Sequence, residues 1–180
     1  MEQVLKQNNM GASIVKFASG NKTVYRSSFL SGSESCISDL VKDGGVKTIV
    51  NLYGGEIENQ NALAIKERGL LQKSGGDLYV NILNYDYKFS KNPKETIFKK
   101  IKIIIKQIEM SEGNVLIHCY GGVHRTGIVY GVIQKCINKL PIETVIQEYK
   151  CHTAYENSEK VGGYESENEV VIREFPCDGL

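Results

Sequence analysis

Asn114-Val115-Leu116-Ile117-His118-Cys119-Tyr120-Gly121-Gly122-Val123-His124-Arg125-Thr126-Gly127 is the stretch on which the fold and the chemistry turn. Asn114 to Ile117 is a short apolar run rich in β-branched residues, the pattern of a buried strand. From Gly127 the chain runs Ile128-Val129-Tyr130-Gly131-Val132-Ile133 and on to Lys139, which reads as a buried helix. Between them a cysteine and an arginine close a short glycine-containing loop. Strand, loop and helix in that order put a helix N-terminus beneath whatever the loop holds. Gly121 and Gly122 can take backbone angles that other residues avoid, and Gly127 is expected to let the helix approach the strand. The loop can curl so that successive N–H groups face one concavity, a nest for an anion. Arg125 adds a planar fork able to grip two phosphoryl oxygens. Cys119, at the floor of that nest, sits in a field that favours the nucleophilic thiolate. The residues imply phosphoryl transfer through a cysteinyl-phosphate.

The loop residues divide by role. Cys119 is the candidate nucleophile and Arg125 the clamp, with Tyr120, Gly121, Gly122, Val123 and His124 as further substrate-binding positions. His118 is expected to shape the loop through backbone hydrogen bonds and to help lower the thiol pKa, or to be a purely structural histidine. Thr126 could give its hydroxyl to the thiolate, or cap the helix start. His124 could read substrate charge when protonated, or sit on the surface. His152 reads as exposed.

The His118 to Gly127 pattern resembles the cysteine-dependent superfamily of protein tyrosine and dual-specificity phosphatases. Tyr25-Arg26-Ser27-Ser28-Phe29, Val46-Lys47-Thr48-Ile49-Val50-Asn51-Leu52 and Glu148-Tyr149-Lys150 are similar to motifs of one branch, the atypical dual-specificity phosphatases of plants and fungi. The likeness spans roughly Tyr25 to Phe175. That branch commonly carries lysine where this chain has Val123, which counts against a preference built on a basic loop. The resemblance also implies a carboxylic acid on a neighbouring loop. Asp86, in Asn84-Tyr85-Asp86-Tyr87-Lys88-Phe89, is the candidate general acid, since its segment follows one strand and precedes the helix at Pro93. Asp77 and Glu56 are the rivals. Tyr85, Tyr87 and Phe89 could wall the pocket for an aromatic phosphoester.

Working outward, strands and helices alternate. Thr23 to Arg26 reads as a short edge strand. Ser31-Gly32-Ser33-Glu34 has capping-box spacing and opens a helix to Lys42, stopped by Gly44-Gly45. A helix is expected from Ile57 to Arg68, ending at Gly69, and a strand from Leu78 to Leu83. Asn92-Pro93-Lys94-Glu95 starts a helix whose Phe98, Ile101, Ile105 and Ile108 share one face. Pro141 opens another helix through Tyr149, and Glu165 to Phe175 forms the last. The expectation is an α/β fold with a mostly parallel central sheet flanked by helices, the phosphatase-type loop lying at the C-terminal end of a central strand. Residues 1–20 read as an N-terminal extension with room for disorder, and 21–180 as a single catalytic domain resembling dual-specificity phosphatases.

At 180 residues, 41% hydrophobic and 24% charged, the chain has the make-up of one globular domain. A formal net charge of +1 selects no nucleic-acid or membrane partner, and there is no basic, aromatic RNA track. No segment is apolar enough to span a bilayer, and the N-terminus lacks a signal-peptide core. The five cysteines show no metal spacing. Cys36, Cys136, Cys151 and Cys177 read as packing or surface residues, and a reactive thiolate points to a reducing compartment, the cytoplasm. Lys88, Lys91 and Lys94 could draw a polyanion or simply be solvated. Lys99, Lys100, Lys102 and Lys106 read as the wet side of the isoleucine-faced helix.

The expected activity is a phosphatase acting on phosphotyrosine proteins, with phosphoserine and phosphothreonine within reach. An inositol polyphosphate, inositol pyrophosphate or phosphoinositide is the alternative substrate. A phosphate-binding pseudophosphatase and a thiol redox sensor are the readings from other classes. No metal or organic cofactor is implied, and oligomeric state is not legible.

Overall fold

The computed structural model describes residues 9–54, 58–83, 85–153 and 167–180. Its strands are β1 (Gly11–Phe17), β2 (Gly20–Ser27), β3 (Val46–Gly54), β4 (Leu78–Leu83) and β5 (Asn114–His118). Its helices are α1 (Glu34–Lys42), α2 (Glu58–Lys73), α3 (Lys94–Met110), α4 (His124–Cys136) and α5 (Ile142–Thr153), and residues 167–174 form α6. The sheet order is β1-β2-β5-β3-β4. β5 is central and parallel to both neighbours, β3 and β4 are parallel, and only β1 runs antiparallel, against β2. The expected mostly parallel sheet with helices on both faces is the fold observed.

Period-two alternation along β5 builds the two cores. Val115 and Ile117 pack with Ile97, Ile101, Ile104, Ile105 and Ile108 of α3 and with Ile128, Val129, Val132 and Ile133 of α4. Leu116 points the other way, into a cluster with Ile37 and Leu40 of α1 and Ala64 and Leu71 of α2. All four of Val115 to His118 are buried. Each such aliphatic side chain contributes about 2 kcal/mol over exposure, so the strand that carries the loop is anchored in the cores on both faces of the sheet.

Several expectations need correction. Thr23 to Arg26 belongs to an interior strand, not an edge: β2 bonds to β1 on one side and β5 on the other. β1 lies inside the stretch read as an extension, and a boundary after residue 20 would cut the β1–β2 hairpin. α2 continues past Gly69 to Lys73. A Cβ at Gly69 would meet nothing within 4 Å, so this glycine costs only its helix propensity, about 1 kcal/mol. Burial of Leu71, two residues on, outweighs that. The helix instead closes at Gly75, whose φ is +93°, with Gly76 N–H bonding to the Leu71 carbonyl. Ser33 and Pro93 stand at the N-caps of α1 and α3 without a side-chain capping bond, and α5 runs to Thr153, beyond Tyr149. Phe98 is only partly buried, while Ile97 and Ile104 complete the apolar face of α3. Ile57 and Glu165, the expected starts of two helices, lie outside the described residues, as do Glu56, Asn84 and residues 1–8.

Cys136 and Cys177 are joined by a disulfide, against their reading as unbonded packing residues. The bond ties the C-terminal tail to the end of α4, where Lys135 also donates to the carbonyls of Ile172, Arg173 and Phe175. Cys36 and Cys151 are free. Among the described residues no helix is long and apolar enough to cross a membrane.

Candidate active site

The chain leaves β5 at His118, turns through Cys119 to Val123, and enters α4 at His124. The loop's carbonyls are held from outside. Phe29 N–H bonds to the Tyr120 carbonyl at 3.1 Å, Asn9 Nδ2 to the Gly121 carbonyl at 3.4 Å, and Arg26 Nη2 to the Gly122 carbonyl at 2.7 Å. Three successive carbonyls turned outward leave their N–H groups to the inside, the arrangement of an anion nest. Gly122 makes the turn at φ +70°. A Cβ there would sit 2.6 Å from the backbone of Ser27 and Ser28, so the curl requires glycine twice over. Gly127 serves a different contact from the one expected. A Cβ on it would strike the Tyr149 ring of α5 at 2.7 Å, not the strand.

The Cys119 side chain is buried within this curl, 5% of the residue being exposed. α4 begins without a side-chain cap at Val123, so its first-turn N–H groups are open to a bound anion. Thr126 is buried and its Oγ1 has no hydrogen-bond partner among the described residues; the alternative of a backbone-capping hydroxyl is not seen. His124 stacks on Tyr87 with ring centroids 6.1 Å apart, and its Nδ1 lies 3.0 Å from Asn168 Nδ2, an amide that also donates to the Tyr149 hydroxyl.

Arg125 is fixed on three sides. Its Nε donates to the Tyr85 carbonyl at 2.8 Å, and its guanidinium carbon lies 5.0 Å from the Tyr53 ring and 5.5 Å from the Tyr87 ring. The bond to Tyr85 reaches the residue next to Asp86, which brings the candidate acid's segment to the loop. Asp86 itself accepts the Lys88 N–H at 3.1 Å and faces Lys91 Nζ at 3.4 Å. Its side chain is 32% exposed, so the lysine contact is weak and easily exchanged. Asp77 is not gathered here. Its N–H bonds to the Lys47 carbonyl, before β4 begins and so at the opposite end of that strand from Asp86.

Tyr85 and Tyr87, expected to wall the pocket, are core residues beside Arg125, 3% and 6% exposed. Burial pushes the Tyr85 phenol up, with Arg125 opposing. Phe89 is half-buried under the Lys94 ammonium. The rim belongs instead to Tyr120, which is 63% exposed, and Tyr53, with ring centroids 5.7 Å apart. Tyr53 is the penultimate residue of β3, and the C-terminal ends of parallel strands are where such sheets bind ligands; that was its available signal. The rim cations are partly neutralised: Lys91 faces Asp86, and Lys94 pairs with Glu174 at 2.5 Å.

Arg26 was legible only as part of a motif. It is 1% exposed, and its guanidinium lies 5.2 Å from the Tyr130 ring. Burial pulls it down, while Tyr130, Cys119 and Glu148 favour its charge. It supplies fixed positive charge directly behind the loop. His152, read as exposed, is part-buried, and the acceptor Asn9 Oδ1 lies 2.6 Å from its Nδ1. Burial and then the Arg26 charge pull His152 down to about 4. Its folded value lies below its unfolded one, so the folded state favours the neutral ring. That stability is present above about pH 6.5 and is lost as pH falls toward 4. Discounted for partial exposure to about 1 kcal/mol, it is worth about 2–4 °C. Thermal melts should therefore give a lower Tm at pH 5 than at pH 7, with the gap narrowing by that amount in His152→Gln.

Comparison with known proteins agrees with this geometry. The family model described as "Tyrosine phosphatase family" matches residues 13–166. A curated inositol diphosphatase, DSP2 of Oryza sativa subsp. japonica, is 29% identical over 141 residues, which cover 76% of this chain and 61% of that protein. The chain thus spans about three fifths of the length of the curated relative it matches. Among solved structures, the core catalytic domain of the PP-IP phosphatase SIW14 from S. cerevisiae, in complex with citrate, superposes with a TM-score of 0.59 at 22% identity. That match covers 95% of this chain and 87% of the other. TpbA of P. aeruginosa in complex with pTyr gives 0.56 at 16% identity, covering 87% and 82%. At such identities the superpositions speak for the fold.

Proposed function

The chain belongs to the tyrosine phosphatase family, and from that premise we propose that it hydrolyses phosphomonoesters through a cysteinyl-phosphate on Cys119. The observation that carries the reading is the loop itself: a buried cysteine in a nest whose carbonyls are latched outward, facing an arginine held on three sides. In the first step the Cys119 sulfur attacks phosphorus and the ester oxygen departs with a proton from Asp86. Arg125 and the loop N–H groups hold the equatorial oxygens, whose charge grows in the transition state. In the second step Asp86 takes a proton from water, which attacks phosphorus and returns the thiolate. Thr126 Oγ1, buried and without a hydrogen-bond partner among the described residues, is the hydroxyl we assign to the departing sulfur. No cofactor takes part in this scheme; the need for a reduced Cys119 is the ground on which we assign the cytoplasm, and the Cys136–Cys177 bond counts against it.

For the substrate we propose phosphotyrosine in proteins, with phosphoserine and phosphothreonine as lesser substrates. The Tyr53 and Tyr120 rings at the mouth suit an aromatic phosphoester, Val123 adds no charge, and the nearby lysines are already paired in part. An inositol pyrophosphate is the second reading, favoured by the curated relative and by the yeast enzyme's fold. Phosphate release from a phosphotyrosine peptide, a phosphothreonine peptide and an inositol pyrophosphate, with Cys119→Ser as blank, separates them. Release only from the pyrophosphate would overturn the first reading. Release from none would leave a phosphate-binding pseudophosphatase.

Asp86→Asn tests the acid. An alkyl phosphate needs its leaving oxygen protonated more than an aryl phosphate does. The variant should lose about 100-fold in kcat on the alkyl ester and much less on the aryl one. Equal loss on both, or none, would remove Asp86 from the mechanism.

A further inference from the structure

A second carboxylate meets the loop from behind, and the mechanism above does not use it. Glu67 of α2 and His118 are both fully buried, and Glu67 Oε2 lies 2.8 Å from His118 Nε2. The approach is off the line of the ring N–H, an ion-pair contact more than an aligned hydrogen bond. Oε2 also accepts from the Tyr79 hydroxyl at 2.6 Å, and Oε1 from the Leu30 N–H at 2.9 Å. Across the imidazole, Nδ1 lies 3.4 Å from the Cys119 carbonyl oxygen. Phe29 packs its edge on the ring with centroids 4.6 Å apart. Both ring nitrogens therefore face acceptors, and a ring with a single N–H can serve only one of them. Burial pushes Glu67 up, but His118, Tyr79 and the Leu30 N–H hold it below the usual carboxylate range. A buried carboxylate is costly unless paired, and here the pairing runs to the residue before the nucleophile.

Resting on the phosphatase reading, we propose that Glu67 is a positioning residue for Cys119: its carboxylate holds the His118 ring with Nδ1–H on the Cys119 carbonyl, bracing the loop's first peptide. The other groups facing this relay are Tyr79, with Arg68 5.5 Å from its ring, and, around Cys119, Arg26, Arg125 and Tyr85. Changes at Glu67 leave Arg26, Arg125 and Tyr85 in place and alter the acceptor of the Tyr79 hydroxyl.

The test is the pH dependence of Cys119 alkylation by iodoacetamide in the reduced full-length chain, read by mass on the Cys119 peptide so that the other four cysteines do not interfere. Turnover of an aryl phosphate is measured alongside. In Glu67→Gln, which keeps volume and an acceptor, the alkylation midpoint should rise by about one pH unit. kcat should fall about tenfold with KM little changed, the size expected when a partner orienting a reactive group is lost. Glu67→Asp, which keeps the charge on a shorter stem, should fall between, and it decides the matter if the Gln variant fails to fold. In a His118→Asn background Glu67→Gln should add nothing. A folded Glu67 variant with the wild-type midpoint, or the same shift persisting without His118, would overturn the proposal. The midpoint is read whether or not the wild type hydrolyses any ester. Absence of turnover would therefore sink the phosphatase reading and leave this one to be judged on alkylation.

Discussion

Cys119→Ser should lose turnover by at least about 10⁴-fold and still bind inorganic phosphate within a few-fold of wild type. The two halves of that expectation rest on different parts of the structure. Turnover needs a thiolate nucleophile, and a serine hydroxyl in the same place does not replace it. Binding needs the nest and the clamp, and neither is built on the sulfur. The loop's shape is fixed by Phe29, Asn9 and Arg26 on its carbonyls and by Gly122 at φ +70°. Arg125 is fixed by Tyr85, Tyr53 and Tyr87. Phosphate release by both proteins, with calorimetric titration of phosphate into each, reads the two quantities separately. Retained turnover would move the nucleophile elsewhere. Lost binding would mean that the sulfur itself holds the loop open.

What could be read from the sequence follows the range of the interactions involved. β5, the loop and α4 are contiguous, and their signals are local: a β-branched run, glycines at the turn, an apolar helix. The Cys136–Cys177 bond has a sequence separation of 41 and forms because α6 and the tail pack back on α4, which no local pattern announces. β1 hid for another reason. Val15 and Phe17 alternate inward as a strand should, but Ile14 faces out at 66% exposure and blurs the alternation. Glu67 sits in Lys66-Glu67-Arg68, a triplet that reads as a solvated face. Only its phase betrays it, three residues after buried Ala64 and four before buried Leu71. Asp86 was placed by its segment, and the Arg125 bond to the Tyr85 carbonyl is what brings that segment to the loop.

Arg125→Lys, with charge conserved, should still cost about 10³-fold in kcat. The guanidinium does two jobs at once. Its central carbon lies within cation–π reach of the Tyr53 and Tyr87 rings, and Nε is spent on the Tyr85 carbonyl, leaving the terminal nitrogens for the equatorial oxygens of a phosphoryl group. An ammonium is a point donor without a plane. It can sit on the Tyr85 carbonyl or on the phosphate, but it cannot hold both with a fixed fork. Each lost ring contact removes about 0.5–1 kcal/mol of the hold on the side chain. The loss should extend beyond the clamp, because the Tyr85 carbonyl is the tether of the Asp86 segment. If Arg125 both grips phosphate and steadies the acid, Arg125→Lys and Asp86→Asn will not be additive. The double variant, assayed on an alkyl phosphate, should fall well short of the product of the single losses. Full additivity would separate the two roles and leave Arg125 as a phosphate clamp alone, with the acid's segment held by other contacts.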